Sequence, residues 1–250
     1  MDSDTKMIVD GKRLDGRGFL DLRPISIKAG VLKKADGSCM VEWGKNKVLA
    51  AVYGPREVFP KHKSNLQKAI VNCRYAMAPF CSLEEHGRSG PNRRAIEIAK
   101  VAKHVFQNVI MLNQFPKTMI EIHMEILQSD GGTRAAGITA ASVAVADAGI
   151  PMRDLVQGIS VGKVEGQLVV DLDKDEDNFG KADVPMVVSL RNKEILLFQQ
   201  DGMLTKDEYS KAIDYAFEAA KKVRELQVAA ITSRYGSMEN ELEKAAGVEQ

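Results

Sequence analysis

Residues Ser129–Ser142, SDGGTRAAGITAAS, constrain this chain more than any other stretch. Two glycines, a threonine and an arginine precede a run of small residues. Ala135, Ala136, Gly137, Ala140, Ala141 and Ala144 would make a thin helix that can lie close against a sheet. Gly149 and Pro151 stop it near Ala148. Packing explains the small residues, but not the arginine at the entrance. A glycine turn opening a helix can aim backbone N–H groups and a guanidinium at one anion, on the positive end of the helix dipole.

The rest of the chain reads as strands and helices around that element. LRPISIKAGV, CMVEW, KVLAAVYG and AIVNCRYAM carry the β-branched and aromatic bias of strands. Ala35–Ser38 and Gly44–Asn46 read as hairpin turns between them. A helix follows from about Asn92 to Leu112, with Ile98, Ala102, Val105, Val109 and Leu112 on one face and Asn92 as N-cap. KTMIEIHMEILQ alternates as a strand, and its His123 reads as a structural residue. Beyond the small-residue helix come QGISVGKV, QLVVDL, VPMVVSL and EILLFQQ, all strand-like. Thr205 and Glu208 form a capping box for a helix of roughly 30 residues. Its inner face reads Ala212, Tyr215, Ala216, Ala219, Val223, Leu226 and Ala230. The order is four strands, helix, strand, helix, four strands, helix, an α+β unit of two packed βα halves. Residues 1–10 read as a flexible arm, 11–235 as one catalytic domain and 236–250 as a charged, frayed tail. Gly11–Gly18 reads as a polar surface loop.

Charge narrows the partners. Lys plus Arg number 35 against 34 for Asp plus Glu, so any nucleic-acid contact needs a local patch. Arg56–Arg94 supplies one, with eight basic residues and three acids in a chain of net charge +1. It suits a polyanion track, and equally a solvated basic face. Arg93 and Arg94 sit in the first turn of their helix, where the dipole disfavours cations. Two readings stay open there: an anion in front of them, or extension into water. The three cysteines have no CxxC spacing, which points to reduced thiols. With no signal-like or membrane-length apolar run, the sequence reads as soluble and cytoplasmic.

Five acids lie between Asp171 and Asp177, with Asp183 beyond them. An EF-hand register from Asp171 puts Glu176 where glycine is needed and Ala182 where glutamate is needed. The register from Asp173 puts Asn178 and Val184 at those places. Most of the segment therefore reads as a solvated acidic loop. Asp183 opens an apolar strand, and Asp177 could face it across the loop. Two converging carboxylates could hold a divalent metal, or one could donate a proton.

Four stretches, GKRLDGRGFLDLRPI, PNRRAIEI, QSDGGTRAAGITAASVAVADAGIPMRDL and EDNFGKADVP, together resemble the RNase PH family, and within it the catalytic ring subunits of archaeal exosomes. The resemblance spans about Gly11–Tyr235. It implies a ribosomal protein S5 domain 2-like α+β fold, two βα halves with mixed sheets and packed helices. It implies 3′-to-5′ phosphorolysis of RNA, with inorganic phosphate as co-substrate and Mg²⁺ or Mn²⁺ as metal. Gly132, Thr133 and Arg134 would bind phosphate, with Arg94 closing on it. Arg93 would grip the RNA near its 3′ end, and Lys61, His62 and Lys63 would face the RNA channel. Asp177 would be the general acid, and Asp183 would hold the metal with it or orient the site. The implied partners are single-stranded RNA, a homologous inactive subunit completing a hexamer of three heterodimers, and RNA-binding caps. A homohexameric enzyme trimming tRNA 3′ ends and a non-catalytic RNA-binding ring subunit are the alternatives.

Overall fold

The computed structural model describes residues 6–9, 11–82 and 92–245, with no side chains described for 237–245. Among the described residues there are four α-helices, two five-stranded sheets and a two-stranded ribbon. The ribbon pairs β1 (Ile8–Val9) with β2 (Lys12–Arg13) and Met7 is buried, so ordered structure begins before Gly11.

The first sheet contains β3 (Ile25–Ala29), β4 (Gly37–Trp43), β5 (Asn46–Glu57), β6 (Ile70–Met77) and β7 (Thr118–Gln128), in the order β3-β4-β5-β7-β6. Only the β6–β7 pairing is parallel. Helix α1 (Arg93–Val109) connects these two strands and packs on β6. The expected face of Ile98, Ala102, Val105 and Val109 is buried; Leu112 is buried too, but in a separate one-turn 3₁₀ helix.

The second sheet contains β8 (Val156–Val164), β9 (Gln167–Val170), β10 (Ala182–Ser189), β11 (Glu194–Phe198) and β12 (Asp201–Gly202). Its order is β11-β10-β8-β9, with β12 beside β10, all antiparallel. Helix α2 (Thr133–Asp147) lies between the sheets, touching β4, β5 and β7 on one side and β8 and β10 on the other. This explains its small residues on every side, because a helix apolar all round belongs in an interior. Its backbone also rests on glycines from both sheets. A Cβ on Gly37 would lie 2.2 Å from the Ala144 carbonyl oxygen, and one on Gly158 would lie 2.4 Å from that of Ala135. Gly37 and Ser38, read as turn residues, open β4 because α2 needs that close approach.

Helix α4 (Lys206–Ala245) packs on β3, β8 and β9 and is longer than the sequence indicates. It passes through Gly236 rather than fraying there. Thr205 and Glu208 form the expected reciprocal cap. Its buried stripe passes through Gln227, while Leu226 is 38% exposed. Gln227 donates to the carbonyls of Thr139 and Val156, joining α4 to both α2 and β8.

The acidic segment is not a solvated loop. Residues Lys174–Phe179 form helix α3, capped by Asp173 and Glu176 in a capping box. Asp171 and Glu176 are buried. Their partners come from the N-terminal stretch, which is correspondingly not a plain surface loop. Arg13 is buried against Glu176 and Arg23 against Asp171. The part of the breaker-rich Pro79–Pro91 loop from 83 onward lies outside the described residues, as do 1–5, 10 and 246–250.

Candidate active site

Four elements end at one place. Asn92 caps α1 by accepting from the Ala95 N–H at 2.7 Å, which starts the helix at Arg93 and Arg94. Helix α2 starts after Gly131 and Gly132, both left-handed with φ near 70°. The cap on α3 sets Asp177 in its first turn, and β10 carries Asp183. A cleft of about 800 Å³ is lined by Arg93, Arg94, Arg134, Asp177, Asp183 and Asp201, with Glu97, Pro185, Gln199 and Gln200 completing its wall. A smaller cavity of about 40 Å³ shares Arg94, Arg134, Asp177 and Asp183 with it and adds Gly132, Thr133 and Ser160. One water needs about 10–15 Å³ by a comparable measure, so the cavity suits a group of a few heavy atoms.

The chemistry of the smaller cavity is that of an anion site with an acid beside it. Thr133, Arg134 and Ala135 line it at the start of α2, where backbone N–H groups have no intrahelical acceptor. The buried Tyr75 hydroxyl lies 2.9 Å from Thr133 Oγ1. Tyr75 donating there leaves the threonine hydroxyl free to donate to a ligand. Arg134 Nη1 donates to Gln199 Oε1, and its Nη2 is 3.7 Å from Glu97 Oε1. Arg134 Nε is buried with no partner, and so is Asp183 Oδ1. Buried polar atoms are almost always paired, so these two, on residues that line the cavity, are free to meet a ligand or water there. Burial pushes the Asp183 carboxyl up to about 7, helped by the Asp177 charge and a hydrogen bond with Asp177, and opposed by Arg134.

Every residue expected at the phosphate and acid sites lines this cavity, and Arg93 lines the outer cleft. Lys61, His62 and Lys63 do not join them. They form an exposed 3₁₀ turn after β5, with Lys61 paired to Glu57 at 3.0 Å. Sequence reasoning missed Tyr75, Ser160, Glu97, Gln199 and Asp201. Glu97 lies one turn beyond Arg93 and Arg94 on α1, a spacing the sequence offers; Tyr75, Ser160, Gln199 and Asp201 reach the site only through tertiary packing. Asp201, for example, arrives because β12 pairs Asp183 with it. Among the described residues no group of three or more His, Cys, Asp or Glu could hold a metal. Asp177 and Asp183 offer oxygen donors only, one of them the orphan Oδ1. That set fits a hard cation completing its shell with water and phosphate oxygens.

Comparison with known proteins finds relatives along most of the chain. Residues 21–151 match domain 1 of the 3′ exoribonuclease family and residues 154–219 match domain 2, both named for RNase PH. The chain is 53% identical over 234 residues to the exosome complex component Rrp41 of Thermococcus kodakarensis, covering 94% of each chain. It is 52% identical over 242 residues to the protein of the same name from Archaeoglobus fulgidus, covering 96% of this chain and 93% of the relative. The crystal structure of rice Rrp46 superimposes with a TM-score of 0.78 at 25% identity, covering 88% of this chain and 100% of that one. A chain of the Archaeoglobus fulgidus exosome with RNA bound to the active site gives 0.75 at 23% identity, covering 86% and 92%, and shares the fold.

Proposed function

We propose, on the premise that this chain belongs to the RNase PH family of 3′ exoribonucleases, that it is the phosphorolytic subunit of an archaeal exosome. It is a 3′-to-5′ exoribonuclease. Inorganic phosphate attacks the phosphorus of the last phosphodiester, the bond from that phosphorus to the preceding 3′ oxygen breaks, and a nucleoside 5′-diphosphate leaves. The reverse reaction extends RNA from nucleoside diphosphates. The observation that carries this reading is the convergence of Arg94, Thr133, Arg134, Asp177 and Asp183 on one small cavity, two of whose lining residues carry an orphaned polar atom.

The attacking phosphate sits at the α2 N-terminus, held by the backbone at Gly132, the Thr133 hydroxyl and the guanidinium groups of Arg134 and Arg94. Arginine suits this task because its planar fork meets phosphate oxygens in pairs. Arg93, in the outer cleft, holds the RNA backbone near its 3′ end. Catalysis of this kind is mostly positioning and charge stabilisation, with reacting oxygens roughly in line. The leaving 3′ oxygen needs a proton, and the carboxyl pair supplies it. Burial favours Asp183 as the proton's holder and Asp177 as the charged neighbour that keeps it there. That exchanges the roles the resemblance gives the two aspartates. Asp177, as the charged member, would hold Mg²⁺ or Mn²⁺, whose positive charge would neutralise phosphate oxygens, and Asp183 would keep its proton. Lys61, His62 and Lys63 form an exposed basic turn able to guide RNA. The ring has six subunits, in which this chain alternates with a homologous inactive one beneath RNA-binding caps, in the cytoplasm.

Shortening of a 3′ single-stranded RNA by the reconstituted ring should require added phosphate and saturate with it. Shortening at an undiminished rate in phosphate-free buffer would refute the proposal. A stable, fully active homohexamer of this chain alone would favour the tRNA-trimming alternative.

A further inference from the structure

Two arginines of the N-terminal stretch are buried, and neither touches the cavity. The Arg23 guanidinium donates to Asp171 through Nη2 at 2.6 Å and Nε at 3.1 Å. The same group donates through Nη1 to the carbonyl of Asp130 and through Nη2, at 3.4 Å, to that of Gly131. It therefore grips the backbone of the turn that opens α2. Asn46 grips it from the other side, donating to the Gly131 carbonyl at 2.6 Å and accepting from the Asp130 N–H at 2.6 Å. Arg13 does the same for the acid side. Its Nε donates to Glu176 at 2.6 Å, and its Nη1 and Nη2 donate to the carbonyls of Val170 and Asp171 at 2.7 and 2.8 Å. Glu176 also accepts from the Asp173 N–H, so Arg13 holds the cap of α3, one residue before Asp177.

Buried ion pairs are a poor route to stability, since apolar packing of similar volume often does as well or better. What these guanidinium groups add is position. Both meet at Asp171, Arg23 at its carboxylate and Arg13 at its carbonyl. The turn and the acid helix thus share one anchor. We propose that Arg23 and Arg13 are positioning residues for the reaction, Arg23 setting the phosphate turn and Arg13 the helix carrying Asp177. This rests on reading the cavity as the phosphate site.

Lysine at either position keeps the charge but cannot span a carboxylate and two carbonyls at once. The test uses the full chain in its reconstituted ring, with phosphate and RNA varied separately. Arg23→Lys should raise the KM for phosphate by roughly 10- to 100-fold, the scale on which small misplacements act, and leave RNA affinity unchanged. Arg13→Lys should lower kcat by at least about tenfold and leave the phosphate KM unchanged. A merely structural role would instead lower Tm and the active fraction, with the phosphate KM of the wild type. That outcome, or equal losses in phosphate and RNA binding, overturns the proposal. Should Arg23→Lys fail to assemble, Asn46→Ala, which removes the other donor to the Gly131 carbonyl, carries the same expectation and the same refutation. Failure of the underlying reading shows separately, as a wild-type enzyme that needs no phosphate.

Discussion

Replacing Asp183 by asparagine should give a protein that is more stable at alkaline pH and yet inactive. Asparagine has the shape of the carboxylic acid, and its amide can still donate to Asp177. In the native fold, burial and the neighbouring Asp177 charge raise the Asp183 carboxyl from 3.8 to about 7. The sign follows from linkage. A carboxyl whose folded pKa is raised favours folding below its unfolded pKa of 3.8, and loses that contribution as pH rises towards 7. A rise from 3.8 to about 7 is worth on the order of a few kcal/mol by pH 8. An asparagine side chain does not ionise and carries no such penalty. Thermal unfolding of the chain, without phosphate or divalent ions, should therefore show Asp183→Asn well above wild type at pH 8, with the two converging towards pH 4. Loss of the proton donor should lower phosphorolysis by about 10²–10⁴-fold at every pH. A variant less stable than wild type at pH 8, or one keeping near-wild-type turnover, would refute the assignment.

Three further outcomes follow from the same geometry. Arg134→Ala should raise the phosphate KM by about 10–100-fold, the worth of a charged hydrogen bond or two, with RNA affinity unchanged; an unaltered phosphate dependence would remove Arg134 from the site. Gly131→Ala places a Cβ 2.5 Å from the Asp173 carbonyl carbon at a φ of +71°, so it should cost about 2–4 kcal/mol in unfolding experiments and separate the turn from α3, with turnover falling alongside. On the proposed role of Asp183 as donor, phosphorolysis should fall as pH rises above about 7, while RNA extension from nucleoside diphosphates, which would need the carboxylate, should not fall there. Parallel pH profiles in the two directions would contradict that.

Much of this site was legible in the residues. The Gly-Gly turn and the all-small helix announce a backbone that must approach something closely, and α2 does so against both sheets. Arg94 and Arg134 stood out because helix entrances disfavour cations unless an anion is near. The acidic segment reads as a loop because its helix has only six residues and no periodicity to detect, although Asp173 and Glu176 have capping-box spacing. The burial of Asp171 and Glu176 depends on Arg23 and Arg13, about 150 positions away in sequence, which no local pattern encodes. Leu226 has the hydrophobicity of an inner-face residue, but the helix turns Gln227 inward to serve two carbonyls.

The most direct test of the phosphate cavity is the identity of the product. With the reconstituted ring, a 3′ single-stranded RNA and isotopically labelled inorganic phosphate, the label should appear in the β-phosphate of released nucleoside 5′-diphosphates, and Arg134→Ala should reduce it. Release of unlabelled nucleoside 5′-monophosphates, with phosphate or without it, would mean that water is the nucleophile and that the cavity serves another end.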